Sequence, residues 1–381
     1  MLLRSLRLIQ LLSFNDAELE LRPLNVLIGP NASGKSNVIA AIGLLKAAPA
    51  NLETEVARGG GIRQWISKRA SAHVYADVEA QIDVGAPNPP LSYSLVFGEE
   101  DLGFHILIES LALAGNREPV VFGRKGRNAR INRPANGMVS QIEISTTQSL
   151  FAAFRDPADP TPITRTGQML GAIEIFHEFD TGPNSSARNG VAAGTQKTFL
   201  YDGGGNLALV LQELHFRAIL EQVNKYLRRL WEGAEDVRVR LEGGIAQTYI
   251  KERGIEEPIA ATRLSDGTLK FLCLMAILLH PEPPPLICIE EPELGLHPDA
   301  QAIVADALKE ASQRCQIIVT THSEALVSQF SDDPESVVVC ERGEDGGSQF
   351  RRLESKNLDE WLQEYRLGEL WRKGEIGGNR W

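Results

Sequence analysis

Gly29-Pro30-Asn31-Ala32-Ser33-Gly34-Lys35-Ser36, followed by Asn37, is the stretch that decides the fold. It matches GxxxxGK[ST] and lies between Leu24–Ile28, a short, mostly apolar run that reads as a strand, and Lys35–Leu45, which has helix periodicity. A polyphosphate needs many hydrogen-bond donors at close range. Glycines let the backbone curl so that its N–H groups point inward, and the start of the following helix adds a favourable dipole. In this reading Gly29, Pro30, Asn31, Ala32, Ser33, Gly34, Lys35, Ser36 and Asn37 form a phosphate cradle. Lys35 neutralises the outer phosphates, and the Ser36 hydroxyl ligates Mg2+.

Three further elements follow in order. Leu264-Ser265-Asp266-Gly267-Thr268 opens a strongly apolar helix, so Ser265, Gly267 and the helix N-terminus make an anion site; alone, the same residues could be a simple N-cap. Leu286-Ile287-Cys288-Ile289-Glu290-Glu291-Pro292 is an apolar strand ending in two carboxylates. The carboxyl edge of a parallel sheet is where ligands bind. There Glu290 would reach Mg2+ through its water shell, and Glu291 would orient or deprotonate an attacking water. Thr320-Thr321-His322-Ser323 ends the next strand, where His322 could bond the terminal phosphate and sense its loss.

The rest of the chain gives these motifs a setting. Residues 71–84 alternate strictly, with Val74, Ala76, Val78, Ala80, Ile82 and Val84 on one side and His73 to Asp83 on the other. Strand-like runs follow at Leu91–Phe97, Phe104–Leu113, Pro119–Phe122 and Val139–Ile144, which together predict an antiparallel sheet. Asp156–Ile163, with three prolines, reads as a loop, and Asn184–Gly194 as a mobile Gly/Ala/Ser-rich segment. Leu207–Trp231 has one continuous helix period, and Val237–Leu241 with Gln247–Lys251 reads as a hairpin. Pro285–Ile289, Gln316–Thr320 and Ser336–Cys340 are short strands. The helix pattern Pro298–Gln313 between the first two implies a parallel sheet with crossover helices.

Length 381 predicts two to three domains, and 43% hydrophobic with 23% charged residues is an ordinary globular composition. The net charge of -11 excludes a uniformly basic nucleic-acid coat protein but leaves room for a local basic patch. Cys273, Cys288, Cys315 and Cys340 form no CxxC and predict buried thiols in a reduced cytoplasmic protein. The longest apolar run, Phe271–Leu279, is far short of the roughly 20 residues of a membrane span. Arg4, Arg7 and Gln10 break up the apolar N-terminus, which reads as a strand and not a leader.

With these motifs in this order, the chain resembles ABC-type ATPase heads of the RecF-like and OLD-like group, predicted P-loop ATPases of the AAA kind. Gly29–Ser36 is similar to their Walker A, Leu264–Gly267 to the signature, Ile287–Glu291 to Walker B, Glu293–Pro298 to the D-loop region and His322 to the switch histidine. The segment DGGGNLALVL near Asp202 and the ending LGELWRKGEIGG add to the likeness. The resemblance implies an α/β P-loop NTPase fold of ABC-ATPase-head type, with a mostly parallel core sheet, an antiparallel β subdomain and a helical lobe. Residues 1–56 with 236–381 would form the core, 57–150 the β subdomain and 151–235 the loop and helical lobe. ATP and Mg2+ are the implied cofactors, and Glu291, His322 and Lys35 the implied catalytic residues. Departures are Glu290 in place of the Walker B aspartate, Thr268 where transporters carry Gln, and no identifiable Q-loop. The interval between Gly29 and Leu264 holds no long heptad arm, so this is not a long-armed SMC protein.

In such heads the signature of one subunit closes on ATP held by the other, so the resemblance implies a homodimer sandwiching ATP, with Ser265 acting in trans. Arg117–Arg133 carries six basic residues against Glu118 and fits either a DNA-tracking loop or a solvated hairpin face. Trp361, Tyr365, Trp371 and Trp381 cluster in the tail, which fits a partner-docking surface or packing of the tail onto its own domain. Three functions follow. The first is a DNA-associated ATPase in repair or genome maintenance. The second is an ATPase subunit of an anti-phage defence system that gates a separately encoded nuclease or other effector, since too few residues follow Glu291 for a TOPRIM domain. The third is a transporter's nucleotide-binding subunit, disfavoured by the altered signature, the missing Q-loop and the β-rich insertion. No membrane partner is expected.

Overall fold

The structure is a computed structural model describing residues 1–68, 75–85, 89–114, 121–133, 138–155, 162–195 and 198–378, with the side chains of Arg133 and Met138 excepted. His73, Val74, Arg117, Glu118, Pro119, residues 156–161 and Trp381 lie outside the described residues. The chain divides into two compact units: Met1–Glu174 with Val338–Leu353 and Ile376–Trp381, and Ile175–Val337 with Glu354–Glu375.

The first unit is dominated by an eight-stranded antiparallel sheet. Its order is Phe14–Glu20, Leu3–Leu11, Tyr75–Ile82, Leu91–Glu100, Gly103–Leu113, Phe122–Lys125, Asn128–Arg133, Met138–Glu143. Ala76, Val78, Ala80 and Ile82 are buried and Tyr75 and Gln81 are exposed, as a period of two demands of a half-buried strand. The strand Leu24–Ile28 is wholly buried and leads into the helix Lys35–Ala47, whose Val38, Ile39, Ala41, Ile42, Leu44 and Leu45 are buried. The strand Val337–Arg342 lies beside Leu24–Ile28 and pairs antiparallel with Ser348–Arg352.

Two expectations change here. Of the strand expected at Pro119–Phe122, Phe122 opens the strand Phe122–Lys125, which turns at Gly126, φ 55°, into Asn128–Arg133. Of the basic stretch, residues 122–133 therefore form a hairpin, one of the two readings the sequence offered. Pro162, expected in the proline-rich loop, instead opens the helix Pro162–Gly171, where its fixed φ and missing N–H cost nothing.

In the second unit Leu286–Glu290 and Gln316–Thr320 pair in parallel, with Glu290 opposite Thr320. The crossover is the helix Pro298–Ser312, capped by His297 and opened by a proline. A short strand, Glu174–Phe176, flanks Leu286–Glu290. The helix Asp266–Leu278 is buried along nearly its whole length. The hairpin Ala234–Glu242 and Ile245–Glu252 forms a second small sheet.

The segment Asn184–Gly194 carries secondary structure: Ser186–Asn189 is a helical turn, and Val191–Ala192 pairs with Ile245 and Ala246. The single helix expected over Leu207–Trp231 is two, Leu207–Phe216 and Leu220–Leu230. Ala218 adopts φ 60° and the Ile219 N–H closes back onto Leu214 O at 2.9 Å, a left-handed helix end that hydrophobic spacing does not reveal. In the tail, Leu367, Leu370 and Trp371 are buried on the helix Leu367–Lys373. A Cβ on Gly368 would stand 2.1 Å from Glu324 O, so this part of the tail packs on its own unit, although Trp361 stays exposed. All four cysteines are free and buried; burial pushes Cys273 and Cys340 up to about 12 and Cys315 to about 11. No helix among the described residues is long and apolar enough to cross a membrane.

Candidate functional site

In the first unit, Gly29–Gly34 is the loop between a buried strand and a helix whose first turn holds no acidic side chain. Its path needs its glycines. Gly29 adopts φ 147° and a Cβ there would meet Cys340 O at 2.1 Å, while Gly34 adopts φ 109° and its Cβ would meet Ser348 Oγ at 2.6 Å. Ala32 also takes a left-handed conformation, φ 61°. Lys35 is buried and donates from Nζ to Gly29 O at 2.8 Å and Pro30 O at 3.1 Å, so its ammonium sits over the loop's own carbonyls.

Among the described residues the buried Ser33 Oγ has no hydrogen-bond partner. Asn31, Ala32 and Ser36 are exposed, and the Asn37 amide donates to Ser13 Oγ at 2.8 Å. A closely wound loop, an unsatisfied hydroxyl, a lysine held within it and an uncapped helix start fit an anionic polyphosphate.

In the second unit, the parallel register sets Glu290 at the carboxyl edge beside Thr320, partly buried. Glu291 follows with φ 43°, a left-handed conformation rare for a non-glycine residue and further disfavoured before Pro292. Its N–H donates to Thr320 O at 3.0 Å, so the neighbouring strand end holds the strained residue in place. His322 Nε2 lies 3.9 Å from Glu291 Oε1. Glu290, Glu291 and His322 thus come together at one strand edge.

Two further groups lie around this edge: Glu293, which opens the D-loop region of the sequence reading, and His177, which sequence reasoning missed. Glu293 is buried and accepts from Thr321 Oγ1 at 2.6 Å and from the His322 N–H at 2.8 Å, fastening the turn after Glu291 to the segment that carries His322. Burial raises its carboxyl pKa, against the opposing pull of those two donors. His177 lies 3.7 Å from Glu290 Oε1 through Nε2 and 3.4 Å from Asp202 Oδ2 through Nδ1, while its N–H donates to Asp202 Oδ1. The available signal was positional: His177 follows directly on a three-residue strand too short to stand out by periodicity.

Ser265 caps the helix Asp266–Leu278, its hydroxyl accepting from the Thr268 N–H at 3.1 Å. Gly267 has a reason to be glycine, because a Cβ there would meet Gly295 O at 2.8 Å. Lys270 Nζ donates to Leu294 O at 3.2 Å, so the start of this helix packs against the turn Glu293–Pro298.

Of the candidate basic surface, Lys125, Arg127 and Arg130 are exposed. Arg124 is not available: it is buried, donates to Gly126 O, Gln148 O, Ile106 O and Ser145 O, and faces the buried Glu109 at 3.8 Å.

Residues 24–328 match the protein family described as "AAA domain, putative AbiEii toxin, Type IV TA system". No curated protein matches the chain. Among solved structures, it is similar to an Smc head bound to the C-terminal winged-helix domain of ScpA, with TM-score 0.59, 15% identity and coverage of 93% of this chain and 99% of that one. It is also similar to the Smc head with an extended coiled coil bound to the C-terminal domain of ScpA from Pyrococcus furiosus, with TM-score 0.58, 15% identity and coverage of 95% and 98%. A third likeness is to the Smc head with a coiled coil and joint from Pyrococcus yayanosii, with TM-score 0.53, 13% identity and coverage of 95% and 99%. At such identities the likeness is one of fold, and the fold is that of an ABC-type P-loop ATPase head.

Proposed function

The chain belongs to that AAA-domain family, and on this premise we propose that it binds and hydrolyses ATP and dimerises around it. The observation that carries this reading is the loop Gly29–Ser36, wound too tightly for side chains at Gly29 and Gly34 and enclosing Lys35. In this reading Lys35 leaves its loop carbonyls for the outer phosphates of ATP. Ser36 would hold Mg2+, which supplies charge neutralisation on the phosphates. Glu291 orients the attacking water and accepts its proton, and His322, next to it, contacts the terminal phosphate. Ser265 and the N–H groups of its helix receive the phosphates of ATP bound to a second copy. ATP then favours the closed dimer and hydrolysis releases it.

For the biological setting, the family's description, which names a toxin of a type IV TA system, favours a defence role; in this reading the ATPase would gate a separately encoded effector. A contact with DNA in repair is the second reading, supported by the exposed Lys125, Arg127 and Arg130 on one hairpin. The test is the ATPase rate of wild type and Glu291→Gln with and without duplex DNA. Stimulation that fades with salt supports the DNA reading. A rate indifferent to DNA but changed by a co-expressed partner supports effector gating. A wild type that hydrolyses no faster than Glu291→Gln under every condition overturns the enzymatic reading.

A further inference from the structure

Arg188 lies outside every recognised motif, in the segment whose composition suggested mobility. Its guanidinium nonetheless donates five hydrogen bonds around the signature. Nε donates to Thr181 O at 3.1 Å. Nη1 donates to Ala261 O at 3.2 Å, Thr262 O at 3.3 Å and Leu264 O at 2.7 Å. Nη2 donates to Asp266 Oδ1 at 2.6 Å. The side chain is only 11% exposed. These acceptors bracket Ser265: Leu264 O precedes it and the Asp266 carboxylate follows it.

The backbone that carries Arg188 is itself anchored. The Gly190 N–H closes the turn onto Ser186 O at 2.9 Å, and Gln247 Nε2 donates to Arg188 O at 3.4 Å. Val191 and Ala192 pair with Ala246 and Ile245. A Cβ on Gly190 would stand 2.7 Å from Ile245 Cγ2 and 2.8 Å from Ala246 O, so this segment is pressed against the strand Ile245–Glu252. The contacts therefore run from that strand, through Arg188, to the backbone on both sides of Ser265.

We propose that Arg188 is a positioning residue that holds Leu264–Asp266 so that Ser265 and the start of its helix present a fixed anion-binding surface. This rests on the reading of Leu264–Gly267 as a signature acting on ATP. A planar fork with five N–H donors can satisfy several carbonyls and a carboxylate at once; an ammonium of the same charge cannot reproduce that geometry. Small displacements of a group that must meet a transferring phosphoryl cost heavily in rate, on the order of 10²-fold for about 1 Å.

The experiment compares wild type, Arg188→Lys, Arg188→Ala, Asp266→Ala and Ser265→Arg in the full chain. Three quantities are read: kcat at saturating ATP, the Kd of a fluorescent ATP analogue, and the melting temperature. The expected result is a nucleotide Kd within about threefold of wild type, with kcat down on the order of 10²-fold in both Arg188 variants. Lysine failing to rescue separates geometry from charge. Should Arg188→Ala not fold, Arg188→Lys and Asp266→Ala carry the test, and lowered kcat at unchanged Kd supports the proposal. Arg188→Lys retaining wild-type kcat while Ser265→Arg is inactive overturns the positioning role alone. Wild-type kcat in Ser265→Arg overturns the signature reading on which it rests.

Discussion

His322 Nε2 stands 3.9 Å from Glu291 Oε1, and the backbone that carries His322 donates to Glu293 Oε1 at 2.8 Å. The acid that would activate water and the histidine that would contact the terminal phosphate are thus tied through one turn. Replacing Glu291 with Gln keeps its shape and removes its basicity. We expect Glu291→Gln to bind ATP, lose on the order of 10²- to 10⁴-fold in hydrolysis and accumulate as an ATP-bound dimer. Light scattering checks this; an identical mass with and without ATP would count against ATP-driven dimerisation.

Lys35 is buried over Gly29 O and Pro30 O. Lys35→Ala removes the cation of the cradle without adding bulk. Binding of a fluorescent ATP analogue should be lost, with the melting temperature little changed. Wild-type affinity in that variant would sink the phosphate-loop assignment.

Arg124 and Glu109 are both fully buried, and Glu109 also accepts from Tyr93, Ser149 and the Leu150 N–H. Arg124→Ala leaves a buried carboxyl without its cation and should lower unfolding free energy by about 3–5 kcal/mol in a urea titration. Lys125→Ala and Arg130→Ala, on exposed positions of the same hairpin, should stay within about 0.5 kcal/mol of wild type. If this hairpin contacts DNA, the loss of affinity belongs to those two and not to Arg124.

Burial, and then the nearby charge of Glu79, pushes the Asp77 carboxyl up to about 6 from the usual 3.8. The folded protein therefore holds this proton more tightly than the unfolded chain does. The stability it contributes is fully present below about pH 4 and is lost as pH rises through about 6. Asp77→Asn removes that loss. The variant should match wild type near pH 4 and exceed it by about 1–3 kcal/mol at pH 7, read from urea titrations at both values. A difference independent of pH would exclude the shift.

Legibility followed the range of the interaction. The phosphate loop, its flanking strand and helix, the alternating strand at Tyr75–Ile82 and the proline-opened crossover helix all rest on neighbours in the chain, where periodicity and glycine placement speak directly. The break at Ala218 was silent because the second helix keeps the apolar spacing of the first.

By itself, the sequence determined the chemical class of this protein: one contiguous Gly-rich motif and an apolar strand ending in Glu290 and Glu291 point to a P-loop ATPase of ABC type. Only the tertiary structure decided which charges are tools and which are struts. Arg124 and Arg130 look alike in the basic run, yet one is sealed against Glu109 and the other faces solvent. Arg188 reaches Asp266 across 78 positions, and His177 meets Glu290 from just beyond a strand too short to notice. Burial and hydrogen-bond partners are set by segments distant in the chain, and a side chain's role is written in those partners more than in its own neighbourhood of sequence.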